Sequence, residues 1–223
     1  MCQIACVVTK DFGVIAADSA QFDTISGNIK FTVPKLSLIR GKYLTTFVGD
    51  TAYFSQIDYT KFDNDLASLS LYLQQYLKEM RPNVERALKE LKIKEVDQKP
   101  NLCLYVMGVY NKKPTLAQFN SFLDFKPKYL FSNNGPKFAT LYYGDNEKKK
   151  EIFDSTTAYM EKKIRKWKGE FSTGIAGEIL TRGIYKKADM EQKAFGVKYA
   201  GGAVQVASLL ATGEMYGLSN VRV

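Results

Sequence analysis

The chain has 223 residues, 45% hydrophobic and 13% aromatic, enough to bury one substantial core, so a single domain over 1–223 is expected. It contains no histidine, which excludes a Ser-His-Asp triad, a Cys-His pair and a His-bearing zinc site. The formal charge of +9 raises nucleic acid as a partner, but the basic clusters carry no aromatic interleaving and fall within helical patterns with apolar residues opposite. Solvated helix faces are therefore expected from Lys148, Lys149 and Lys150 and from Lys162, Lys163, Arg165, Lys166 and Lys168, and no nucleic-acid partner. No apolar run approaches the roughly 18 to 20 residues of a membrane span, and the head of the chain lacks the pattern of a secretion signal. A cytoplasmic protein without a membrane partner is the expectation.

The first stretch, MCQIACVVTKDFGVIAADSAQF, reads as two strands. Gln3 to Val8 is mostly apolar, as a strand covered on both faces would be. The chain turns at Asp11-Phe12-Gly13 and returns as Val14 to Asp18. Removal of Met1, usual before a small residue, leaves Cys2 with both a thiol and a free α-amine. With an unperturbed pKa of about 7.7 to 8.0, that amine can serve as the base that a histidine would otherwise supply. Cys6, at about 3.3 Å per residue, lies too far along the same strand for a disulfide with Cys2. Cys103, inside NLCLYVMGV, reads as a small buried hydrophobe, and no CxxC metal pattern exists. No metal or other cofactor is expected. Asp18 closes an otherwise apolar strand, and a carboxylate there requires a partner.

After the polar stretch Gln21 to Lys30, Pro34 starts an extended segment in which Lys35 to Ile39 alternates. Arg40-Gly41-Lys42 reads as a tight turn and Tyr43 to Val48 as a second strand. Lys35, entering that strand, is the natural cation for Asp18. From Thr51 to Met80 the apolar spacing is helical, and Pro82-Asn83 reads as opening a second helix through Leu91. Asn101 to Tyr110 returns to strand, Asn111-Lys112-Lys113-Pro114 turns, and Thr115 to Phe119 pairs back. Two more strands are expected between Asp124 and Gly144. Helices are expected over Asn146 to Lys168 and Ser172 to Gln192, divided by Gly169, and a last hairpin turns at Thr212-Gly213. There is no repeat and no Pro/Ser/Gly-rich linker. Strand groups that need cover, with helices arriving in pairs, predict an α+β fold of two stacked sheets between helical layers.

DFGVIAADSA, then PKLSLI, then TTFVGDTAYFSQI, then AGGAVQVASLLATGEM resemble, in order and over almost the whole chain, the catalytic-type β subunits of the proteasome and their simpler bacterial relatives. The resemblance implies the four-layer αββα sandwich of N-terminal-nucleophile (Ntn) hydrolases. It also implies site residues: Cys2 where the family has its N-terminal threonine, Asp18 and Lys35 as the ion pair beside it, and Gly49 as the glycine whose N–H forms the oxyanion hole. Phe47 matches the residue that floors the pocket for the substrate side chain preceding the cut, and its bulk implies a shallow pocket. The implied roles are chemically coherent. A lysine beside the nucleophile favours thiolate and neutral amine, and an oxyanion-hole donor is typically worth about 3 to 4 kcal/mol.

The match departs from the family in three places. The nucleophile is cysteine, so removal of Met1 alone is expected to mature it. Val197 and Ala200 stand where an aspartate and a serine usually support the terminal amine, and Asp145 after Gly144 stands where a further serine is usual. Three functions follow. The first is a cysteine-type peptidase acting on peptide or protein substrates through a thioester, in a homo-oligomeric ring served by an ATPase unfoldase. A second is a small-amide amidohydrolase or acyl transferase, since MCQI is similar to the MCGI start of some Ntn relatives. The third is a non-catalytic assembly subunit. The Lys35 match favours the first.

Overall fold

The computed structural model describes residues 3–22, 29–32, 35–49, 51–54, 56–90, 102–142, 147–196 and 203–221. The opening strands form as Gln3–Val8 (β1) and Phe12–Asp18 (β2). Thr9 shapes the turn between them: its Oγ1 donates to the Phe12 carbonyl and accepts from the backbone N–H groups of Asp11 and Phe12. The following stretch contains a short antiparallel pair, Ala20–Phe22 (β3) and Ile29–Thr32 (β4), where the sequence suggested only a polar connection. Strands this short carry too few residues for alternation to register. Leu36–Ile39 (β5) and Tyr43–Gly49 (β6) follow, joined through Arg40 and Gly41 in left-handed conformation.

Two 3-10 turns, Thr51–Phe54 and Tyr59–Asp63, precede one continuous helix, Leu66–Glu90 (α1). The expected break at Pro82 does not occur. Pro82 and Lys78, whose carbonyl loses a partner to the missing N–H, both lie on the exposed face, where water can replace the bond. The buried stripe meanwhile runs unbroken through Leu77, Met80 and Val84. Leu102–Tyr110 (β7) and Lys113–Asn120 (β8) are joined by Asn111 and Lys112, both left-handed, as in a two-residue hairpin. Pro114, expected in the turn, instead pairs with Val109 inside the strand. The next strand along that edge, Lys128–Leu130 (β9), begins its pairing only at Leu116, so the missing N–H costs no ladder bond there.

Lys137–Tyr142 (β10) leads to helices Glu147–Arg165 (α2) and Thr173–Phe195 (α3), the latter capped by Ser172 at its start and by left-handed Gly196 at its end. Gly183 lets the two helices approach, since a Cβ there would sit 2.2 Å from the Met160 sulfur. Val204–Leu210 (β11) and Met215–Val221 (β12) close the chain. One five-stranded antiparallel sheet has the order β10-β1-β2-β11-β12, and the other the order β5-β6-β7-β8-β9. The fold is thus mixed α/β, with two five-stranded antiparallel sheets, the short β3–β4 pair and three long helices among the described residues.

Period-2 alternation sorts neighbouring residues of one strand into different apolar clusters. Ile4, Cys6 and Val8 of β1 pack with Leu44, Tyr105 and Met107 of the second sheet. Ala5 and Val7 instead join Met160, Leu180 and Ile184 of α2 and α3. On the far face of the second sheet, Leu104, Val106 and Phe119 meet Leu66, Leu69 and Leu73 of α1. The exposed basic residues of α2 lie opposite its buried stripe of Ile152, Met160 and Ile164. No described helix is long and apolar enough to cross a membrane.

Candidate active site

Antiparallel pairing brings the start of β1 beside the end of β2: Gln3 and Asp18 lie one position beyond the Ile4–Ala17 pair. Gln3 N–H donates to Asp18 Oδ1 at 3.1 Å, and Lys35 Nζ donates to the same oxygen at 3.1 Å. Asp18 is 0% and Lys35 8% exposed. Burial of this kind costs several kcal/mol per ion unless the partners are held in good geometry. Two constraints supply that geometry for Lys35. Its backbone N–H and that of Leu36 both donate to Gln205 Oε1, at 2.7 and 3.1 Å. Gln205, on β11 of the first sheet, thereby staples the entry of β5 in the second.

Burial pushes the Asp18 carboxyl up from its ordinary value. The charge of Lys35 and its hydrogen bond oppose that rise, as do the charge of Lys187 on α3 and the Gln3 N–H, and the net direction is upward. The two described thiols, Cys6 and Cys103, are silent by the same physics. Burial pushes Cys6 well above its usual value and Cys103 to about 11, so both are neutral and poorly nucleophilic near pH 7.

Gly49 ends β6 with φ of 115°, a conformation that side-chain-bearing residues rarely adopt. Phe47, two residues earlier and so on the same face, is half-buried, with its ring centroid 4.7 Å from that of Phe54. Lys35 and Phe47 line one hollow of about 250 Å³, walled by Phe54, Tyr59, Phe62 and Val106. Lys35 therefore belongs both to the buried ion pair and to the wall of this hollow.

A larger hollow of about 560 Å³ lies between α3 and the strands β11 and β12, against Gly177, Tyr185, Val206 and Tyr216. It contains none of Asp18, Lys35, Phe47 or Gly49, and its charged groups, Glu178 and Arg182, pair with each other in solvent. Of the two, the smaller hollow is the candidate site because it carries Lys35, a buried ionisable group with a specific partner. Among the described residues no cluster of three or more His, Cys, Asp or Glu is placed to hold a metal.

The structure thus brings Asp18, Lys35 and Phe47 together, with Gly49 two residues beyond Phe47. Cys2 lies outside the described residues, directly before the first residue of β1, and Gly144, Asp145, Val197 and Ala200 also lie outside them. Three features went unread in the sequence. Gln205 is a polar residue sharing the inward face of Ala207 and Leu209, and that placement was its signal. Lys187 and Glu191 continue the buried stripe of α3, at helical spacing from Leu180 and Ile184. The aromatic wall at Phe54, Tyr59 and Phe62 falls in 3-10 turns, which helical periodicity blurs.

No protein-family model matches the sequence, and no curated protein sequence matches it. Among solved structures the fold is similar to that of an Anbu (Gly-1) mutant from Hyphomicrobium sp. strain MC1, with a TM-score of 0.63 at 14% identity. The likeness covers 98% of this chain and 86% of that one.

Proposed function

We propose that the chain is a proteasome-like Ntn hydrolase, a single domain of four αββα layers that uses Cys2, freed of Met1, to cleave peptide or amide bonds. The observation that carries this reading is the buried Lys35–Asp18 pair at the wall of a hollow also lined by Phe47. The similarity of the fold to that of the Anbu mutant structure supports it.

In this reading the Cys2 α-amine accepts the thiol proton as Sγ attacks the carbonyl carbon. The Gly49 N–H stabilises the oxyanion that forms. Collapse breaks the C–N bond, the leaving amine takes the proton from the α-ammonium, and a thioester remains. Water then attacks the thioester, gives its proton to the same amine, and the released thiolate takes that proton back. Lys35 supplies the positive charge that favours thiolate, and Asp18 holds Lys35. The hollow suits one substrate side chain rather than a whole ligand, being smaller than typical small-molecule sites of about 300 to 1,000 Å³. Its aromatic wall favours an apolar side chain before the cut. A homo-oligomeric ring in the cytoplasm, fed by an ATPase unfoldase, completes the proposal by analogy with the family.

The test is turnover of fluorogenic peptide amides that vary the residue before the cut. Wild type is expected to prefer apolar residues there, with Cys2→Ala inactive. Turnover that survives in Cys2→Ala would overturn the reading.

A further inference from the structure

The layer between β2 and α3 holds a second pair of buried charges that the proposed chemistry does not use. Lys187 and Glu191, one turn apart on α3, pair with each other and are both 0% exposed. The preceding turns of the same stripe carry Ala176, Leu180 and Ile184, packed on Val7, Val14 and Ala16. The helix direction shows what the pair faces. Gly177 lies against Val206, and Tyr185, two turns later, is bonded to the backbone of Val204, which pairs with Asp18. Lys187, two residues further along and turned inward, arrives at the level of Asp18, and its charge acts on that carboxyl.

The strands change character at the same level. Along the α3-facing side of β1 and β2, Ala5, Val7, Val14 and Ala16 give way to Gln3 and Asp18, both fully buried. The Gln3 side-chain amide makes no hydrogen bond among the described residues. Helix and strands therefore become polar together, at one end of an otherwise apolar layer and directly after Cys2 in sequence.

We propose that Lys187, held by Glu191, is a positioning residue for the site: from the helix side it fixes the Asp18 carboxylate that Lys35 grips from the other. This deepens the proposed function and rests on it for the role of Asp18. Among the described residues, the charged groups that face Asp18 are Lys35 at the entry of β5 and, from α3, Lys187 with its partner Glu191; Tyr185 on α3 bonds the backbone of Val204. From β1 and β11 come the neutral Gln3, Val204 and Gln205.

Two variants of the full chain test the inference, Lys187→Met and the double variant Lys187→Met/Glu191→Leu. The double variant leaves no uncompensated buried charge and is expected to fold even where the single variant does not. The first readout is the ¹³C titration of the Asp18 carboxyl, assigned with Asp18→Asn. The second is the acid limb of peptide hydrolysis. Both are expected to move to higher pH by about half a unit or more, read as an about threefold loss of rate on the acid side. Lys187→Arg should restore both. Arg182→Met/Glu178→Leu, which removes the same charge types from the exposed side of α3, should move neither. A folded double variant with an unchanged Asp18 titration would overturn the inference. Failure of the catalytic reading is seen separately, as hydrolysis that survives in Cys2→Ala, and the carboxyl titration decides the role of Lys187 in either case.

Discussion

The two ends of the layer between β2 and α3 are built from the same strand and the same helix, yet they follow opposite rules. At one end Val14 and Ala16 meet Leu180 and Ile184 in apolar packing. At the other, Asp18 pairs with Lys35 and Lys187 pairs with Glu191, all buried, and the charge of Lys187 acts on the Asp18 carboxyl. Apolar residues of similar volume would hold the second end at least as stably, because desolvating paired ions offsets much of their attraction. On the proposed reading, charge kept there against that cost serves the site at the start of β1.

The sharpest way to break the comparison is to remove one charge. Lys35→Met leaves the Asp18 carboxylate buried with its main partner gone. The expected loss is about 3 to 5 kcal/mol in urea unfolding, together with loss of activity in the fraction that remains folded. A cut of similar size at the apolar end separates stability from function. Leu180→Ala should cost about 2 to 5 kcal/mol, while the rate per folded molecule stays at the wild-type value.

A smaller change probes the staple that aims Lys35. Gln205→Leu strands the Lys35 and Leu36 N–H groups, for an expected cost of about 1 to 3 kcal/mol. It should also lower kcat with little change in KM, because the hollow around Phe47 is left intact. The last prediction needs no substitution. Burial holds the Asp18 carboxyl above its usual value, and its ionised form is the one that grips Lys35. Activity should therefore be lost as pH falls through that raised value, giving an acid limb above the ordinary aspartate value of about 3.9. A pH-rate profile reads this directly.

Much of this division was legible in the sequence. The pairing of Asp18 with Lys35 follows from one fact about burial, that a carboxylate closing an apolar strand needs a cation, and from the lysine at the entry of the next core strand. The central strands were legible because β1 and β7 are near-continuous apolar runs. The rest was hidden for identifiable reasons. Pro82 looked like a helix start because proline favours that position, and only the exposure of its own turn shows why α1 runs through it. The short pair β3 and β4 offered too little alternation. Lys187 and Glu191 went unread because their i and i+4 spacing is equally that of an exposed surface pair, and the sequence alone does not say which stripe of the helix is buried.

The central claim is that the buried charges serve a nucleophile at Cys2, and intact mass tests it most directly. The native protein is weighed before and after treatment with a peptide epoxyketone or vinyl sulfone, and the adduct is mapped. The account predicts a chain lacking Met1 that gains a single adduct on Cys2, with Cys6 and Cys103 untouched and no adduct in Lys35→Ala. Retained Met1 with no adduct, or labelling at Cys6 or Cys103 instead, would contradict it.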